Sequence, residues 1–126
     1  MYRFVTKPAF LFIFLLSVCF LSNCQYEYVE IDLPNETVLV SFSDEILPIF
    51  DNNSCTACHS NGSIIDLRRD NAYSSIVPDL INKEDPSLSL IYQYPNPTYN
   101  GHQYKKYTPY QAALVFNWIK QGAMNN

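Results

Sequence analysis

Apolar residues recur along this chain at the spacing of helices, and no stretch sustains the alternation of a strand. The strongest pattern lies near the C-terminus, where residues three and four positions apart predict one buried helix face. These residues are Leu114, Val115, Trp118 and Ile119. Thr108 and Gln111 have the spacing of a capping box at the start of this helix, and Gly122 stands where a C-terminal cap belongs.

Three weaker patterns precede this helix. One helix is predicted to begin at Asp44 with Ser43 as its cap, and a second covers 70–76 with Asp70 as its cap. A third begins at Asp85, which precedes a proline at the first helical position. With folding expected to start near Val40, the chain predicts a small all-α domain of about four to five short helices.

The N-terminus has a different character. Two basic residues precede an uncharged apolar run over 9–20, which is shorter than a membrane span and typical of a signal peptide. The run is followed by Leu-Ser-Asn-Cys at 21–24, which resembles the lipobox of bacterial lipoproteins. This resemblance implies a lipoprotein signal peptide at 1–23 and lipid on Cys24. The alternative is an ordinary secretory signal or short anchor in which Cys24 is incidental.

Removing the signal peptide changes the composition. The 126-residue chain has a net charge of −4, and loss of two basic residues brings it to −6. An acidic chain of this size argues against nucleic-acid binding and for a single domain. We therefore expect a tether at 24–39 and one folded domain at 40–126. Cys19 leaves with the signal, so only Cys55 and Cys58 remain for other chemistry.

These two cysteines belong to the sequence Cys-Thr-Ala-Cys-His at 55–59, which is the CxxCH pattern of c-type haem attachment. One turn can bring both sulfurs to the vinyl groups of a single porphyrin, and His59 then becomes the proximal ligand of the iron. Export favours this interpretation because c-type haem is attached outside the cytoplasm.

The motif has three other interpretations. A thioredoxin-like redox pair expects alternating strands and helices, which the chain does not predict. A zinc site needs four ligands, and His102 is the one further candidate outside the motif. A structural disulfide between Cys55 and Cys58 would leave His59 unexplained.

The segments around the motif resemble the small class I cytochrome c domains of Bacteroidetes lipoproteins. The similar segments are 40–50, 71–73 and 118–123. The resemblance implies a cytochrome c-like domain around one covalently attached haem, with its first and last helices crossing at one haem edge. Phe50 and Trp118 are the candidates for that crossing.

The sixth iron ligand is the open question of this motif. Relatives commonly use a methionine from the loop before the last helix, and this chain has none there. Met124 lies near the C-terminus, where a ligand is poorly held, and is the weaker candidate. His102 lies in the expected loop, and we predict it as the distal ligand. The alternative is a surface histidine beside an open iron.

Six tyrosines surround this loop, and most are expected to pack a segment rich in proline and asparagine. They are Tyr92, Tyr94, Tyr99, Tyr104, Tyr107 and Tyr110.

The expected function is that of a membrane-anchored c-type cytochrome which carries single electrons between redox proteins outside the cytoplasm. Cys24 would hold it by lipid to a bacterial cell membrane, periplasmic or surface-facing, and its redox partners would make transient contacts. Two alternatives stay open, a haem-based sensor or ligand binder and a haem-bearing accessory subunit. An enzyme is not expected, because one short domain leaves little room for a substrate site.

Overall fold

The computed structural model describes residues 32–104 and 106–126. The predicted signal peptide at 1–23, the predicted lipidation residue Cys24 and the first part of the predicted tether lie outside the described residues, as does Lys105. Among the residues described, no helix has the length and apolar character needed to cross a membrane.

The described chain forms a small all-helical domain and contains no strand, as the hydrophobic pattern predicts. A π-helical turn at Phe42–Ile46 runs directly into the first α-helix. The four α-helices are α1 (Leu47–Asn52), α2 (Ala72–Ile76), α3 (Leu90–Gln93) and α4 (Pro109–Lys120). Two 3-10 turns, Cys55–Ala57 and Pro86–Leu88, lie between them. Most of the other described residues form loops between these short helices.

Helix α4 agrees closely with its prediction. The Thr108 hydroxyl accepts a hydrogen bond from the main-chain nitrogen of Gln111 at 3.2 Å, and the Gln111 side chain accepts one from Thr108 at 2.9 Å. Gly122 follows the helix with a φ of +108°, which favours glycine. The four apolar residues of the predicted face are all buried. Local caps and one apolar face are sufficient to define this helix.

The first helical segment begins earlier than predicted. Ser41, rather than Ser43, caps it by accepting a hydrogen bond from the nitrogen of Asp44 at 3.2 Å. The Glu45 carboxylate accepts a second hydrogen bond, from the main-chain nitrogen of Ser41, at 2.7 Å. The helix therefore includes Phe42, whose side chain is buried in the core.

The second helix begins two residues later than predicted. It starts at Ala72, and Asp70 does not cap it. Asn71 takes the capping position without a side-chain cap, because its amide donates to the carboxylate of Asp66 at 2.8 Å. An interaction with the preceding loop thus replaces the predicted local cap.

The third predicted helix is divided into two pieces. Asp85 caps the 3-10 turn Pro86–Leu88, as predicted for the start of this element. Ser89 then adopts an extended conformation before α3, and its buried hydroxyl accepts a hydrogen bond from the nitrogen of Asn82 at 2.9 Å. The buried serine explains why one predicted helix becomes two short ones.

The first and last helical segments pack together through aromatic rings. Phe42 and Trp118 lie with ring centroids 5.2 Å apart, and Tyr73 meets Phe42 edge-on at the same separation. The Trp118 indole donates to the main-chain oxygen of Met124 at 2.9 Å. The aromatic neighbours of Trp118 are thus Phe42 and Tyr73, while Phe50 lies elsewhere, against the cavity described below.

The end of the segment predicted as a tether lies against α4. The Gln121 amide donates to the main-chain oxygens of Val38 and Glu36, at 2.8 and 3.2 Å. Lys120 pairs with the carboxylate of Glu36 at 2.8 Å. Chain that enters the domain at residues 36–38 is therefore held at the C-terminal end of α4.

Replacing Trp118 with alanine should remove the contact that joins the first and last helices. Because the side chain is fully buried, we expect the free energy of unfolding to fall by about 3–5 kcal/mol. Tyr110→Ala, on the exposed side of the same helix, should change it by less than about 0.5 kcal/mol. Urea unfolding followed by circular dichroism measures both. Equal losses in the two variants would contradict this assignment of the core.

Candidate functional site

A cavity of about 350 Å³ opens among the loops beside α1, α3 and the N-terminal end of α4. Its volume is within the range of small-molecule and cofactor sites. The CxxCH turn forms one part of its wall, and the loop before α4 forms another. Apolar and aromatic side chains fill most of the rest, among them Phe50, Ile65, Leu67, Leu80, Leu90, Ile91, Tyr94, Tyr104 and Tyr107.

Both motif cysteines line this cavity. Ser54 precedes them with a left-handed φ of 55°, which turns the chain into the 3-10 segment. The nitrogens of Cys58 and His59 then both donate to the oxygen of Cys55, at 3.2 and 3.0 Å. This turn closes the motif and brings its two cysteines and its histidine to one cavity wall. Cys55 and Cys58 are not joined by a disulfide.

The surroundings of His59 favour the neutral form of its imidazole. Its main-chain oxygen accepts a hydrogen bond from the nitrogen of buried Leu67 at 2.9 Å, which fixes the end of the motif. Burial lowers the pKa of the His59 imidazole, and the nearby His102 lowers it further. The neutral imidazole is the form that binds metals.

His102 lies opposite His59. The two imidazole rings have centroids 6.2 Å apart and planes inclined by 12°. Ring atoms of a five-membered ring with bonds of about 1.33 Å lie about 1.1 Å from its centroid. With metal–nitrogen bonds of about 2.0 Å, two imidazoles that bind one metal from opposite sides have centroids about 6.2 Å apart. At the observed separation, one metal atom between the rings could be bound by a nitrogen of each.

The polar atoms of this site also fit a haem. The Nδ1 atoms of His59 and His102 are buried and lack a hydrogen-bond partner within the protein, while the surrounding wall is largely apolar. A flat apolar macrocycle with a central metal fits such a wall, since the apolar side chains can cover the macrocycle and one nitrogen of each imidazole can bind the metal. The two cysteines lie on the same cavity and are the residue type that attaches such a group covalently.

Met124, the other predicted candidate for the sixth ligand, lies apart from this site. Its side chain is 41% exposed and does not line the cavity. Its main-chain oxygen accepts from the indole of Trp118, at the opposite end of α4. Of the two candidates, the structure brings His102 to the cysteines and His59.

Two features of the site are not evident from the motif. The Asn53 amide donates to the side-chain oxygen of Gln111 at 3.0 Å, and so joins the segment before Cys55 to the first turn of α4. Tyr107 is buried in the wall, and its hydroxyl donates to the main-chain oxygen of Ile91 at 3.1 Å. Burial raises the pKa of Tyr107, so its hydroxyl remains a donor. The tyrosine-rich composition of this segment indicated that its tyrosines pack the loop, but no sequence pattern indicated the contact between Asn53 and Gln111.

Comparisons of the chain with protein-family models, with curated proteins and with solved structures found no match. Across residues 32–104 and 106–126, no group of three or more histidine, cysteine, aspartate or glutamate side chains is arranged to hold a bare metal ion. The interpretation of the site therefore rests on the geometry of the cavity.

The Asn53–Gln111 pair should couple the two sides of the cavity energetically. Asn53→Ala and Gln111→Ala are each expected to lower stability by about 1 kcal/mol or more, and Gln111→Ala by the larger amount because it also removes part of the helix cap. The double variant should lose about 1 kcal/mol less than the sum of the two. Denaturant unfolding of all four proteins measures this coupling.

The exposed pair Lys120 and Glu36 supplies the matched control for this cycle. Exposed ion pairs contribute little, so the corresponding double variant should be additive. Additive losses at Asn53 and Gln111 as well would show that their hydrogen bond does not join the two segments.

Proposed function

We propose that this protein is a lipid-anchored c-type cytochrome that carries single electrons between redox proteins outside the cytoplasm. The observation that carries the proposal is the pair of opposed imidazoles, 6.2 Å apart, across an apolar cavity lined by both cysteines of the CxxCH motif. No feature of the motif alone requires a second histidine at that position. The position of His102 opposite the histidine of the motif supports a six-coordinate haem within a small cytochrome c-like domain.

In this proposal Cys55 and Cys58 would hold the haem covalently, and His59 and His102 would bind its iron. The bound group supplies a one-electron iron couple. The chain itself presents two imidazoles, and burial lowers the pKa of His59 and so favours its neutral form. Apolar side chains cover much of the site and exclude water. Two histidines in place of histidine and methionine favour a low reduction potential.

Anchoring would come from lipid on Cys24, followed by a tether whose last residues meet α4. Two or more acyl chains give stable attachment, whereas one gives only marginal binding. Partners in electron transfer would meet the protein through small, transient interfaces, whose association rate depends on charge complementarity. A mature charge of −6 favours partners with a basic surface.

Absorption spectra of the matured protein and of His102→Ala test this proposal. We expect the parent to be low-spin in both oxidation states and to accept one electron per chain. The reduced parent should bind carbon monoxide only slowly. His102→Ala should become high-spin when oxidised and should bind carbon monoxide on mixing, because it lacks the distal imidazole.

Asn100→Ala is the matched control, since Asn100 is an exposed residue of the same loop. Its spectra should be those of the parent. A parent spectrum that His102→Ala leaves unchanged would contradict the bis-histidine site. Rapid carbon monoxide binding by the parent would instead favour a haem-based sensor or ligand binder.

A further inference from the structure

The loop that carries His102 must position this side chain without a hydrogen bond to its Nδ1 atom. That nitrogen is buried and has no partner within the protein. The loop lies between α3 and α4, and His102 itself belongs to neither helix. The location of the imidazole therefore depends on contacts made by the rest of the loop.

Tyr107 makes two of these contacts at the base of the loop. Its main-chain nitrogen donates to the oxygen of Pro95 at 2.8 Å, and its hydroxyl donates to the oxygen of Ile91 at 3.1 Å. The side chain is only 3% exposed and lines the cavity. One residue thus joins the end of the loop to its beginning and to helix α3.

A second set of contacts holds the tip of the loop. The Tyr99 ring packs so closely over Gly101 that a side chain at Gly101 would overlap it. The Tyr94 ring lies 5.0 Å from that of Tyr99, and the Lys106 amine donates to the main-chain oxygen of Tyr99. These contacts shape the tip next to His102, but they are exposed, and the buried attachment to the domain is that of Tyr107.

We propose that Tyr107 is a positioning residue that keeps His102 opposite His59. The inference rests on the function proposed above, with His102 as the distal ligand. Without the hydroxyl, the oxygen of Ile91 is left without its donor in a buried wall, and the base of the loop is held by one main-chain hydrogen bond. The loop then moves away from the cavity more often, and the distal position becomes accessible.

Tyr107→Phe in the full-length, haem-loaded protein tests this role, because it keeps the ring and removes only the hydroxyl. The measurement is the rate at which the reduced protein binds carbon monoxide, which requires His102 to leave its position. We expect this rate to rise about tenfold over the parent, the change in an opening equilibrium produced by losing one buried hydrogen bond. The oxidised spectrum should gain a high-spin component.

Tyr73→Phe is the matched control. The Tyr73 hydroxyl also donates to a main-chain oxygen, that of Ala123 at 2.9 Å, but it lies away from the cavity. This variant should lose comparable thermal stability and keep the parental rate of carbon monoxide binding. An equal rise in the rate of carbon monoxide binding in both tyrosine variants would show that the effect comes from general destabilisation, and it would overturn the inference.

A parental rate in Tyr107→Phe, with a fast rate in His102→Ala, would overturn the positioning role and leave the proposed function standing. Equal rates in the parent and His102→Ala would overturn the distal ligand and the positioning role together.

Discussion

The opposition of two imidazoles across an apolar cavity is the constraint on which the described structure depends. His59 and His102 are 43 positions apart in the chain, and neither lies in an α-helix. Their 6.2 Å separation therefore requires two loops to be held in register by the elements around them. A small domain with short helices buries only a limited hydrophobic core, so few buried contacts are available to hold such a site.

The register is maintained at both ends of α4. At the C-terminal end, Trp118 packs on Phe42 and joins this helix to the first helical segment. At the N-terminal end, Gln111 contacts Asn53, just before the CxxCH turn. The first helical segment leads directly into that turn, so α4 contacts the segment that carries His59 at two points. The loop that carries His102 ends where α4 begins. One twelve-residue helix therefore contacts the segment that leads to His59 and also fixes the end of the loop that carries His102.

Features that depend on neighbouring residues were predicted well from the sequence. The capping box, the buried face of α4 and the all-helical character follow from local spacing. The motif that brings Cys55, Cys58 and His59 to one turn is likewise local. Such interactions are contained within a few residues, so a single sequence is sufficient to find them.

Features that depend on distant residues were not predicted. Ser41 caps the first helix in place of Ser43, and the choice between these serines accompanies the burial of Phe42 against Trp118. The helix expected from Asp85 is divided at Ser89, whose hydroxyl is required by a loop seven residues earlier. The attachment of Tyr107 to Ile91 similarly joins residues on two different elements. Each of these results from tertiary contacts that override local preference.

The central claim is that Cys55 and Cys58 carry a covalently attached haem, and intact-mass spectrometry tests it most directly. The full-length protein should be matured in bacteria that attach c-type haem and then measured in acidic organic solvent, which releases haem that is not covalently bound. We expect the parent to be heavier by one haem than the variant with Cys55→Ser and Cys58→Ser, after correction for the two sulfur-to-oxygen replacements and with the N-terminus processed alike in both. A parent and a variant that differ by those replacements alone, with both thiols of the parent open to alkylation, would contradict covalent attachment.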